Sequence, residues 1–339
     1  MLPACSAGDG QATGGAAAGP AYLVYATNER SGDISVIDPD KRAEVGRIPI
    51  GKRPRGLVAS PDGKLLYVAV SGSPIGGPGV DESTLPPADK AADGIAVIEI
   101  ASRKVLRTLR GISDPEQLAI TADGRRLYVA SEDTGQLIVI DTSGNTVTAL
   151  PVGDEPEGVA ISPDGTVVLA TSEADHSVAI VRGGDRPRVA GRVIVGERPR
   201  NAGFVGNDRA LVPGEFDATL TLVDYAGAKP LRTIRLPASE RPMGMAVAPT
   251  GIAYVTTGRG GKLYRIDPRD AAVSNPVVGS VAVGERPWGV TLSPDGKYAF
   301  TANGPGNDVS MVDLRTMRLT GRVPTGGGPW GVLAVPTER

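Results

Sequence analysis

Pro156-Glu-Gly-Val-Ala-Ile-Ser-Pro-Asp-Gly165 is followed by Val167-Val-Leu-Ala-Thr171 and Ser177-Val-Ala-Ile-Val181, and the same order returns along the chain. A proline, a variable residue and usually a glycine open each copy, with an apolar run and a turn behind them. Seven prolines hold the first place: Pro54, Pro115, Pro156, Pro199, Pro242, Pro287 and Pro329. Their intervals are 61, 41, 43, 43, 45 and 42 residues, the first lengthened by one insertion. A period near 42 marks a radial array in which each copy is one small sheet. Alternating β-branched and small residues between Gly, Pro and Asp turns describe short strands. Asp62-Gly63, Asp123-Gly124, Asp164-Gly165 and Asp295-Gly296 supply the positive φ that tight hairpins need. The predicted fold is all-β: a seven-bladed β-propeller of four-stranded antiparallel blades.

The two ends complete the count. Tyr22-Leu-Val-Tyr-Ala26 matches the second strand of a copy, and Trp330-Gly-Val-Leu-Ala-Val335 matches a first strand. One blade is therefore expected to be shared between the ends, which leaves no free sheet edge in the ring. Residues 71–92 are a Gly/Pro/Asp-rich insertion in blade 2, residues 268–276 lengthen a turn in blade 6, and Gly206-Asn-Asp-Arg209 replaces the hairpin pair in blade 5. The propeller is assigned to 21–339. Residues 1–20 are expected to be a flexible tether. Leu2-Pro3-Ala4-Cys5 is similar to the end of a bacterial lipoprotein signal, so an exported protein, periplasmic or anchored to the outer membrane through Cys5, is expected. Cys5 is the only cysteine, which excludes an intramolecular disulfide.

Net charge is -2, from 36 basic and 38 acidic residues. Such a balance gives no general pull toward nucleic acid, and a monomer is expected. Chemistry must therefore come from local placement. The residue after each anchor proline forms one ring at the channel mouth: Arg55, Glu116, Glu157, Arg200, Met243, Trp288 and Trp330. The ends of the second strands form another: Asn28, Ser71, Glu132, Glu173, Glu215, Gly258 and Asn303. Arg53, Arg198, Arg241 and Arg286 flank them. Positions repeated by the scaffold yet filled differently are where function tends to sit. The candidate ligand- or partner-binding set is Arg55, Glu116, Glu132, Glu157, Glu173, Arg200, Glu215, Trp288 and Trp330.

Several uses of that set stay open. The charges can be ion pairs that hold the blades together while the tryptophans plug the channel. Arginine forks and indole faces also suit a small anionic or aromatic ligand, and glutamate oxygens suit Ca²⁺. A single-stranded nucleic acid would need a continuous basic track, which the alternating charges do not offer. Nucleophilic catalysis has little material, because His176 is the only histidine and no Gly-x-Ser-x-Gly elbow occurs. The enzymatic alternative is a metal-dependent hydrolase or lyase of lactonase type, with Glu132 and Glu173 as the first candidates for a base. A binding role predicts that Arg55→Ala with Arg200→Ala weakens ligand capture while barely moving thermal stability.

Gly51-Lys-Arg-Pro-Arg-Gly56, Ser60-Pro-Asp-Gly-Lys64, Leu127-Tyr-Val-Ala-Ser131 and Ile48-Pro-Ile-Gly51 resemble the YVTN family of seven-bladed β-propellers over residues 22–335. Asp114-Pro-Glu-Gln117, Glu155-Pro-Glu-Gly158, Glu197-Arg-Pro-Arg200 and Gly328-Pro-Trp-Gly331 are similar to periplasmic propellers associated with PQQ-dependent alcohol catabolism. That resemblance implies a non-catalytic accessory of periplasmic alcohol oxidation. It would have a quinoprotein dehydrogenase as partner or a PQQ-like quinone as ligand. The chain departs from the family pattern at the blade 5 hairpin and in the long blade 2 insertion.

Overall fold

A computed structural model of the chain describes residues 19–76, 80–269 and 275–337. Most of the expected tether, and Cys5 with it, lies outside the described residues. The remainder forms seven four-stranded antiparallel sheets arranged as the blades of one propeller. Blade 4 is representative, with strands Pro156–Ile161, Val167–Ser172, Ser177–Arg182 and Arg188–Ile194 running from the channel outward. Its second and third strands are almost wholly buried, whereas the outermost alternates with solvent. This gradient follows from position, since blade faces pack on neighbouring blades while the outer edge meets water. The apolar clusters accordingly lie between blades: Leu169 and Ile180 of blade 4 pack with Val212 and Val223 of blade 5.

The ring closes as expected. Pro329–Pro336 is the innermost strand of blade 1 and pairs with Tyr22–Asn28, Tyr22 opposite Pro336 and Asn28 opposite Pro329. Both described ends consequently leave the face opposite the mouth, where the Thr337 amide donates to the Ala21 carbonyl at 3.1 Å.

Pro-x-Gly proves to be a β-bulge. In blade 4, Pro156 pairs with Ser172 and Val159 with Ala170, so Glu157 and Gly158 together oppose Thr171. The same slip follows Pro54, Pro115, Pro242 and Pro287. A bulge re-aims the side chain it carries, and here residue x turns into the channel. Glycine follows because the next blade arrives there: a Cβ on Gly158 would stand 2.7 Å from the Arg200 carbonyl oxygen. The Thr171 hydroxyl accepts the Gly158 amide at 2.8 Å and fixes the bulge. Blade 5 departs from this pattern. Asn201 takes the glycine place, and only Gly203–Phe204 is regular strand, with Pro199 joined to Gly214 by an isolated bridge.

The blade 2 insertion runs from the end of Leu65–Val70 to Gly94–Glu99. It is pinned over the mouth by Lys52 on Asp89 at 2.7 Å and by Asp93, which accepts the Gly72 and Asp114 amides at 2.7 and 3.0 Å.

Candidate functional site

The bulges bring the predicted residues to one end of the channel, in a buried floor. Side-chain exposure is 6% for Arg55, 0% for Glu116, 3% for Glu157, 2% for Glu173 and 9% for Arg200. Glu132 differs at 29%. Arg200 is the hub of this floor. Its guanidinium lies 3.3 Å from Glu157, 2.8 Å from Glu173 and 2.6 Å from Glu215, and 5.0 Å from the centroid of Trp288 across the channel. Arg55 contacts Glu116, stands 3.5 Å from Glu29 and 3.9 Å from Glu132, and covers Trp330 at 4.8 Å. Trp288 and Trp330 stack on each other at 5.8 Å. Indole faces that the sequence offered to a ligand are thus taken up by one another and by arginines.

Five floor glutamates share two floor arginines, and two of them, Glu132 and Glu173, lie above the ordinary carboxylate range. Burial, reinforced by the charge of Glu157, pushes the Glu132 carboxyl up to about 7. Burial likewise lifts Glu173 to about 8; Arg200 and Arg198 oppose the rise and Glu157 adds to it. Arg200 is raised despite its burial, because Glu173, Glu157 and Glu215 surround it.

A second tier stands above the floor, formed by the residues before the anchor prolines. Arg53, Asp114, Glu155, Arg198 and Arg286 all adopt left-handed φ, between 42° and 56°, and all five line the cavity. Only blade 1 uses the residue suited to that conformation, Gly328 with φ 69°. Left-handed backbone costs a non-glycine residue roughly 1–2 kcal/mol, and such strain collects at functional positions. The sequence marks Arg53, Arg198 and Arg286 only as flanking the rings and gives no sign of this conformation, since a residue before proline is ordinarily extended. Glu29 and Phe216 were missed as well. Glu29, not Asn28, follows the second strand of blade 1 as Glu132, Glu173 and Glu215 follow theirs, and Phe216 comes one place later in blade 5.

This upper tier is polarised. On the side of blades 2–4, Arg53 pairs with Glu29 at 2.9 Å and Asp114 at 3.5 Å. Arg198 pairs with Glu173 at 2.5 Å and lies over Phe216 at 5.0 Å. Arg241 covers Phe216 at 4.5 Å, and Arg286 covers Trp288 at 4.9 Å. Among the described residues neither Arg241 nor Arg286 has a carboxylate within 4.0 Å. The cause is local: the residue just past the second strand is Glu132, Glu173 and Glu215 in blades 3–5, whereas blades 6 and 7 offer Gly258 and Gly304 there, so that Asn303 belongs one place earlier than the sequence pattern put it. Burial, with Arg200 and Arg198 nearby, holds the Arg286 guanidinium below the usual arginine range.

Between the tiers and the insertion lies a cavity of about 990 Å³, walled on the blade 2 side by Pro74, Ile75, Leu85 and Pro86. That is small-ligand size. Carboxylates of Asp114, Glu116 and Glu132 lie within 4.8 Å of one another, the spacing of groups that share a cation. Arg53 and Arg55 already occupy that role, and Ser71 donates to Asp114 at 2.5 Å. The donor set therefore fits Ca²⁺ poorly. Millimolar Ca²⁺ or a chelator is expected to leave the melting temperature unchanged. A saturable rise with Ca²⁺ would reveal a site, because a ligand of the native state stabilises it by mass action.

No family model matches the chain. Among curated relatives it is 28% identical to antigen Lp49 of Leptospira interrogans over 47% of this chain and 45% of that protein. It is 27% identical to a seven-bladed β-propeller protein of Mycobacterium tuberculosis over 77% of this chain and 66% of the relative. The chain thus spans between about half and two thirds of the length of these relatives. Among solved structures, a functionally unknown protein of Desulfotomaculum acetoxidans superposes with TM-score 0.76 at 15% identity, covering 93% of this chain and 99% of that one. A candidate 6-phosphogluconolactonase of Bacteroides uniformis gives 0.70 at 17%, covering 93% and 100%. At such identities the structures establish the propeller fold and nothing finer.

Proposed function

We propose that this propeller is a non-catalytic binding module whose Pro-x-Gly face captures a small, flat anion in the cavity over its floor. The observation that carries this is Arg286, a cavity arginine that among the described residues is held without a carboxylate partner, on a strained backbone. A guanidinium so placed is ready to receive a ligand carboxylate, and charge-assisted pairs of this kind are among the strong ones. The resemblance to periplasmic propellers of alcohol oxidation adds a context and a probe. PQQ is flat and carries three carboxylates, and a quinoprotein dehydrogenase would be the partner it is passed to or held for. Export to the periplasm, with anchoring through Cys5, belongs to the same proposal.

Titration calorimetry with PQQ or a benzene tricarboxylate is the test. Arg286→Gln is expected to lower affinity roughly tenfold or more, since a hydrogen bond to a charged group contributes about 1.5–3 kcal/mol. Its melting temperature should stay within a degree or two of wild type, because among the described residues Arg286 holds no ion pair and loses only its contact with Trp288. Equal affinity in wild type and variant would remove the proposal.

One observation favours a lactonase-like alternative. Glu132 combines a raised carboxyl with partial exposure to the cavity, which suits a general base. Hydrolysis of a sugar lactone above the spontaneous rate, lost in Glu132→Gln and on chelation, would favour the metal-dependent hydrolase over the binding role.

A further inference from the structure

Arg198 serves two masters. Its side chain faces the cavity and lies over Phe216, yet its Nε is bonded to buried Glu173 at 2.5 Å and is 3.9 Å from Glu215. Arg200, Glu157 and Glu215 also face Glu173, at the floor where five glutamates share two arginines. On the loop that follows Glu173, Asp175 is tied to Arg192 at 2.7 Å, and His176 Nδ1 accepts the Arg198 amide at 3.2 Å. An anion that draws the Arg198 guanidinium upward removes one of the two cations Glu173 depends on. Glu173 keeps Arg200 but remains beside Glu157 and Glu215 in a dry setting, where a lone carboxylate is costly.

We infer that anion capture in this cavity is coupled to proton uptake: the ligand takes Arg198, and Glu173 takes a proton in its place. This rests on the binding role proposed above and adds its regulation. Coupling of this kind is reciprocal, so protonation of Glu173 in turn frees Arg198 for the ligand. The sign follows. In the free protein burial pushes the Glu173 carboxyl up to about 8; the bound anion moves it higher. Below the free midpoint both states carry the proton and affinity is flat. Above it only the bound state does, so affinity falls as pH rises, until the bound midpoint is passed.

Calorimetry with a benzene tricarboxylate, fully ionised across the range, reads this directly. In two buffers of different ionisation enthalpy at pH 8 the wild type should show proton uptake. Between pH 8 and 9.5 its affinity should drop by roughly three- to tenfold per pH unit, the slope that uptake of up to one proton imposes. Glu173→Gln, a fixed stand-in for the protonated carboxyl, should bind tightly with a flat profile and no uptake. Arg198→Gln should bind more weakly and also lose the slope, while His176→Gln should keep it. Binding without uptake, or a slope surviving in Glu173→Gln, overturns the coupling and leaves the binding role standing. Absence of binding at every pH overturns both.

Discussion

Arg200→Leu should lower the melting temperature by roughly 6–20 °C. The estimate follows from a loss of about 3–5 kcal/mol when one partner of a buried ionic cluster is removed, converted at about 2–4 °C per kcal/mol for a chain of this size class. The cause is what the substitution strands, since Glu157, Glu173 and Glu215 all pair with this one guanidinium and are all buried. This replaces the sequence-based expectation that truncating Arg55 and Arg200 would spare stability; the bulges turn both side chains inward to the floor. Adding Glu173→Gln and Glu215→Gln to Arg200→Leu should recover part of the loss, because neutral amides at those places no longer need the cation. The pH dependence has a definite sign. Glu132 and Glu173 hold protons to about 7 and about 8 when folded, well above an ordinary carboxylate. The folded state therefore binds more protons than the unfolded chain in that interval, and stability declines as pH rises from the ordinary carboxylate range to about 8. A thermal melt of Arg200→Leu within a degree or so of wild type would show that the hub is not what holds the floor.

Ending the chain at Gly328 should abolish cooperative folding. The lost strand, Pro329–Pro336, carries buried Trp330, Val332 and Val335 and supplies the whole inner edge of blade 1. It also holds in place the Thr27 hydroxyl that joins blade 1 to blade 2. The Thr27 hydroxyl accepts the Gly331 amide at 2.9 Å and donates to the Arg55 carbonyl at 2.7 Å. Without it the Tyr22–Asn28 strand becomes a free edge, a template for pairing with other chains. The expected result is a broad or absent thermal transition and aggregates on size exclusion. A synthetic peptide of residues 329–337 should restore a sharp melt by adding itself as the missing strand. A truncated chain that melts sharply and stays monomeric without the peptide would mean that the ring does not need its closing strand.

The architecture was legible because the features that build a blade are local. Each Asp-Gly turn and each Pro-x-Gly sits at a fixed place in its copy, so periodicity alone counts blades and finds the closing strand. Which residues meet at the mouth was legible too, because strand direction follows from the same count. Depth was not. That Glu116 is fully buried while Glu132 is partly open depends on the bulge before one and the strand end before the other. A linear pattern does not report how far a side chain reaches into the channel. The left-handed residues ahead of the prolines were hidden for a different reason: proline disfavours the helical region before it, and only the packed ring forces Arg53, Arg198 and Arg286 into a conformation their own chemistry resists.

The placement of the two described ends has a practical consequence. Ala21 and Thr337 meet on the underside of the disc, away from the cavity. A fusion partner, an affinity handle or a sensor surface joined at either end would hold the protein like a bowl on a stalk, its opening toward bulk solution.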